Sequence, residues 1–197
     1  MKDLRKLLLA LAAIGCGILG LLSGRPIPRK PGVLAAEQPL QTPAPQRSWR
    51  YRTFTLTTRA SYDITARVLS VERYHVDAGS SLAPMDFAVG WGPMSDTATL
   101  QHFRVTQGSR FFTLYPDDRA LDIHEALLSS ANMHVVPASD RVAGILGRAR
   151  SGNVAHLSGY LIDARREDGF VWNSSLTRED TGDGACELMW VESAELH

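Results

Sequence analysis

The densest gathering of chemically capable side chains is the run WNSSLTREDTGDGACE over residues 172–187. It offers an indole at Trp172, hydroxyls at Ser174 and Ser175, a guanidinium at Arg178 and carboxylates at Asp180, Asp183 and Glu187. A loop so composed would arrange donors and acceptors around a small ligand or a peptide. The same residues also suit an Asx-rich turn, with Asp180 and Asp183 accepting backbone N–H bonds and Arg178 pairing with a neighbouring carboxylate. Three hard oxygen donors without the twelve-residue EF-hand spacing do not predict a calcium site.

Nucleophilic chemistry has two sets of candidates. Cys186 would need a histidine to take its proton, and His134 or His156 are the partners available. Cys186 opens an apolar stretch, however, which suits a small buried hydrophobe equally well. Ser174 and Ser175 lack the G-x-S-x-G elbow of serine hydrolases. The histidines at 75, 102, 124, 134 and 156 show neither H-E-x-x-H nor H-x-H spacing, so no zinc and no other metal or cofactor is expected. All three lysines precede residue 49, which excludes a lysine Schiff base or a P-loop lysine in the domain. His134, in the apolar run 131–137, either lines a pocket or bonds to a local backbone partner. Trp91, between Gly90 and Gly92, either stacks on a ligand or buries its ring at a bend.

Positioning these residues falls to strands. Residues 51–58 and 62–71 are rich in β-branched and aromatic side chains with partial alternation and predict two strands; residues 85–91 and 103–106 predict two more. Gly108 between two such runs predicts a hairpin onto residues 110–115. A short helix is expected over 122–129. A longer one is expected over 140–150, with Ser139 as N-cap, Val142, Ile145, Leu146 and Ala149 on one face and Gly152 as the stop. Strands over 153–164, 170–176 and 186–192 follow, with a turn at 167–169. Several strands with one amphipathic helix among them predict a mainly β (α+β) domain, a small OB-like barrel, with an open sheet packed on helices as the rival.

Charge and hydropathy divide the 197 residues into three parts. Lys2, Arg5 and Lys6 precede a charge-free apolar run from Leu7 to Leu22, so residues 1–24 read as a signal anchor or transmembrane helix. The run is at the short end for crossing about 30 Å of hydrocarbon. Arg25 and the prolines that follow supply no small-residue cleavage site, which favours an uncleaved anchor. Cys16 lacks the large aliphatic residue of a lipoprotein box, and Gly20 and Gly24 form only a terminal GxxxG pair. Prolines at 26, 28, 31, 39, 43 and 45 make residues 25–48 an extended linker. Residues 49–197 form the exported domain, with fourteen arginines against nineteen acidic residues, a net −5. That charge disfavours nucleic acid as a partner.

The motifs GWGPMS (90–95), SANMH (130–134), LSGYL (157–161) and SSLTREDTG (174–182) with ACE (185–187) together resemble a family of uncharacterised bacterial membrane-anchored proteins. The resemblance spans residues 50–193 and implies a bacterial, membrane-associated protein; it implies no reaction. The expectation is therefore a single-pass inner-membrane protein whose periplasmic domain binds a protein or small-molecule ligand without catalysis of its own. Its contacts would be Trp172, Ser174, Ser175, Arg178, Asp180 and His134. The alternative is a hydrolase or thiol-dependent enzyme using Cys186, or Ser174 and Ser175, with His134.

Overall fold

The structure, a computed structural model, describes residues 25–177 and 185–197. The apolar segment 1–24 and the loop positions Arg178, Asp180 and Asp183 lie outside the described residues. No helix among the described residues is long and apolar enough to cross a membrane.

The elements in chain order are β1 (Leu40–Pro43), β2 (Ser48–Tyr51), β3 (Phe54–Arg73), β4 (Met85–Gly90), α1 (Thr97–Leu100), β5 (Phe103–Gly108), β6 (Phe111–Pro116) and α2 (Ile123–Leu128). They continue with β7 (Ser130–Pro137), α3 (Asp140–Leu146), β8 (Val154–Arg166), β9 (Val171–Trp172) and β10 (Glu187–Leu196). The domain is mainly β, as its content of branched and aromatic residues predicts. Residues 51–58 and 62–71, expected as two strands, largely merge into the single β3 of 20 residues. Its register against β8 slips between Thr58 and Ala60, so an irregularity at Arg59 bends the strand where a turn would have broken it.

β3 pairs with β4, β4 with β7 and β8 with β3, all antiparallel. β7 and β10 run parallel, and β10 pairs antiparallel with β8. These five strands return on themselves in the order β3-β4-β7-β10-β8-β3. Their inward residues, among them Tyr62, Ile64, Phe87, Met133, Leu157 and Met189, form one core. Helix α3 adds Val142 and Leu146 to this core, and Ala149 follows just beyond it. Ser139 caps the helix by accepting from Val142 N. The helix ends at Leu146 with Gly147 as its C-cap, before the expected boundary at 150, and the chain tightens beyond it, Arg148 N and Ala149 N donating to Ile145 O and Leu146 O.

The outward faces of the central strands are covered too. One cluster collects Phe54, Leu56, Leu82, Leu188 and Trp190, with Phe170 and Trp172 against it. Another packs the β5–β6 hairpin and α2 onto Leu69, Ala88 and Met94. Every residue of β7 is consequently buried, which is why its sequence shows no alternation. Trp91 lies in the inner core, 2% exposed.

The proline-rich stretch is extended and runs along the domain. Ile27 N donates to Ser151 O, Arg29 Nε to Gly152 O, and Gly32 N to Asp96 Oδ1. Leu34 N and Ala35 N both donate to Ser95 Oγ, and β1 pairs with residues 60–63 of β3. Arg67, 9% exposed, lies under this strap and donates to Ser95 O and Thr97 Oγ1. Burial, then the neighbouring Arg29 charge, pulls its guanidinium below the usual arginine range.

Candidate functional site

Strand register assembles the site. Alternate residues of β7 enter the inner core (Ala131, Met133, Val135), so Asn132 and His134 point outward. Asp86 of β4 stands opposite His134, and Leu188 of β10 flanks it on the other side. Cys186, immediately before β10, lies next to Asn132, whose Nδ2 is 3.7 Å from Sγ. Outward residues of three strands thus meet beneath the loops.

Above them opens a groove of about 470 Å³. The β3–β4 loop contributes Asp77, Ala78 and Gly79, and the tip of the β5–β6 hairpin contributes Ser109, Arg110 and Phe111. The segment after β8 contributes Phe170, Val171, Trp172 and Asn173, while His134 and Cys186 complete the lining. Trp172 leans on His134 with ring centroids 4.6 Å apart. Gly79 is required beneath this indole, because a Cβ there would collide with Cζ3 of Trp172. Phe111 and Val171 are exposed at the rim, which gives the mouth an apolar character.

Arg110 holds the groove together, and no pattern in the chain singled it out. With Ser109 it forms the hairpin turn at positive φ, 52° and 70°, whereas the sequence led us to expect Gly108 in that role. A side chain tolerates this conformation when the surroundings fix it. Arg110 N donates to the Tyr74 hydroxyl at 3.0 Å, and Arg110 O accepts from Asn132 Nδ2 at 2.9 Å. The guanidinium lies 3.6 Å from the Tyr74 ring centroid and 5.2 Å from that of Trp172. Nε and Nη2 donate to the two oxygens of Asp77; Nη1 donates to Asp86 Oδ1 and to Ala83 O.

The electrostatics follow from this geometry. Asp86 is wholly buried and shares its Oδ1 between Arg110 at 2.9 Å and His134 Nδ1 at 2.8 Å, the imidazole lying off the hydrogen-bonding axis. Burial would raise the Asp77 carboxyl, but the Arg110 hydrogen bonds and charge, with the Gly79 and Ser80 contacts, outweigh it and hold Asp77 below its ordinary value of 3.8. Burial pushes the Tyr74 phenol up to about 12, with the Asp86 charge adding to the effect. Among the described residues that line the groove, the one guanidinium is shared between two carboxylates, so this lining suits neutral or apolar groups better than anions.

Of the residues expected to bind, Trp172 and His134 meet in the groove together with Cys186. Ser174 and Ser175 lie beside it, both buried, with hydroxyls engaged by the backbone. Ser174 Oγ donates to Ser175 O and accepts from Leu188 N; Ser175 Oγ donates to Thr177 O and accepts from Thr177 N. They latch the segment after Trp172 to the start of β10. His156 sits elsewhere, 3.2 Å from Asp63. Among the described residues no three histidine, cysteine or acidic side chains are grouped to hold a metal. No protein-family model matches the chain, and no curated protein or solved structure matches it.

Proposed function

We propose that this chain is a bacterial inner-membrane protein, tethered by residues 1–24, whose periplasmic domain is an OB-type barrel that binds a partner in the Trp172 groove without chemistry of its own. The observation that carries this reading is the position of the groove. In OB barrels the first strand pairs with both the second and the fourth, the third and fifth run parallel, and ligands lie between the loops joining strands 1–2 and 4–5. The order β3-β4-β7-β10-β8 has these pairings, with α3 between the third and fourth strands. The groove lies between the β3–β4 loop and the β8–β10 connection.

The lining supports a neutral or apolar ligand, such as an aromatic or aliphatic side chain of a partner protein. Phe111, Val171 and Trp172 offer area for burial, and the Arg110 guanidinium is already satisfied. A binding role also fits the backbone engagement of Ser174 and Ser175 and the contact of His134 Nδ1 with Asp86. The basic, then apolar, N-terminus supports the location.

Two measurements test the reading. Protease added to spheroplasts should digest the domain while leaving intact cells unaffected; protection in spheroplasts would refute the exported location. Alkylation of Cys186 in the folded full-length chain at neutral pH should be no faster than that of the same thiol in the denatured chain. Rapid alkylation persisting well below neutrality would favour the thiol-enzyme alternative.

A further inference from the structure

Another concavity, formed by described residues, has the opposite chemistry to the groove. A cleft of about 900 Å³ runs between α3 with its following turn and the end of β10, lined by Arg73, Arg141, Arg148 and Arg150, with Ile145 and Glu195. Several arginines elsewhere sit beside acids: Arg47 with Glu192, Arg50 with Glu167, Arg110 with Asp77 and Asp86, Arg166 with Asp168. Others that form no ion pair among the described residues, such as Arg52, Arg104 and Arg165, lie outside this cleft. Among the described residues, no carboxylate lies within ion-pair distance of Arg73, Arg141 or Arg148, all three of which are exposed. Glu195 is the acid in the lining, and it stands 3.6 Å from His197. A domain of net −5 has therefore gathered unpaired positive charge at one end.

The strap reaches the domain at this same end. Ile27 is bonded to Ser151 and Arg29 to Gly152 and His197, beside Arg150 and Asn153 of the cleft. Arg25, Arg29 and Lys30 add three more basic side chains, within a few residues of the apolar run that ends at Leu22. The groove lies toward the far end of β10, since Cys186 precedes that strand and Leu196 closes it. Ten residues of strand span roughly 30 Å.

We propose that this arginine-lined end seats on anionic phospholipid headgroups of the membrane that holds the tether, so that the Trp172 groove faces away from the bilayer. The proposal rests on the tether reading given above. Clustered exposed arginines beside a membrane-inserted segment are attracted to anionic lipid surfaces, and the attraction fades within a Debye length. A short, docked strap keeps the face at high effective concentration beside the lipid, so even weak headgroup contacts become populated.

The test uses the full-length chain in lipid nanodiscs of phosphatidylcholine, with or without phosphatidylglycerol. An arginine-specific dicarbonyl reagent is read out site by site by mass spectrometry. Modification of Arg141 and Arg148 should slow severalfold in phosphatidylglycerol discs and recover in high salt, while Arg165 on β8 stays constant. The double variant R141E/R148E should restore modification of Arg73 in the same discs. Equal rates in both lipids, with the chain co-eluting with the discs, would overturn the headgroup proposal alone. A chain that elutes apart from the discs would overturn the tether reading and this proposal with it. Equal protection in phosphatidylcholine discs on adding inorganic phosphate or a soluble nucleic acid would overturn the lipid as occupant.

Discussion

Gly79 and Trp172 touch across the groove so closely that no side chain fits on the glycine: a Cβ would overlap Cζ3 and crowd Cε3 of the indole at 3.2 Å. This contact joins the β3–β4 loop to the strand that ends the β8 hairpin, and it sets the tilt at which Trp172 rests on His134. Gly79→Ala should therefore displace the indole while leaving the barrel closed. The expected cost is about 1–3 kcal/mol, as for an overpacked site. A lowered thermal midpoint with altered near-ultraviolet dichroism would register it; a spectrum identical to that of the parent would show that the two loops do not touch.

The strap depends on a second glycine. Gly152 has φ +92°, and a Cβ there would collide with the carbonyl oxygen of Ile27. Gly152→Ala should release residues 25–30 and speed tryptic cleavage after Arg29, since Arg25 and Lys30 each precede a proline and resist trypsin, with a barrel that still melts cooperatively. Unchanged cleavage would place the strap's attachment elsewhere.

Acid should loosen the groove in a defined direction. Because Asp77 is held below 3.8, its contribution to stability is complete above that value and is lost as pH falls through the lower folded-state value. Hydrogen exchange of residues 77–83 should accelerate over that acidic window, and Asp77→Asn should abolish the dependence. Acceleration beginning near neutrality would assign the effect to another group.

Alkali acts through Tyr74. Its phenol is raised from 10.0 to about 12 by burial and by the Asp86 charge, so the associated stability is intact below 10 and lost as pH climbs toward 12. Difference absorbance against Tyr74→Phe should show this high titration. Asp86→Asn should lower it, since a raising charge has been removed. A phenol that titrates near 10 in the folded parent would contradict the placement of Tyr74 behind Arg110.

What could be read from the chain alone follows the range of the interactions concerned. Helix α3 was legible because Ser139, Val142 and Leu146 lie within a few residues of one another, and so was the hairpin onto Phe111–Pro116. The extended character of the proline-rich stretch was legible too, whereas its docking depends on Ser95, Asp96 and Gly152, far along the chain. Trp172, His134 and Cys186 stood out by residue type. Arg110 did not, since its importance arises only when Tyr74, Asp77 and Asp86 are folded around it. The hydroxyls of Ser174 and Ser175 look reactive in a string of letters; the register of β10 gives Ser174 to Leu188, and Thr177 takes Ser175.

Site-specific photocrosslinking in living cells tests the groove most directly. With benzoylphenylalanine at Val171, 47% exposed on the groove rim, irradiation should give one discrete adduct, and Trp172→Ala should remove it by weakening binding about tenfold or more. The same probe at Leu40, exposed on β1, should give none. No adduct from Val171, or one that persists in Trp172→Ala and also forms from Leu40, would contradict the groove as the binding site.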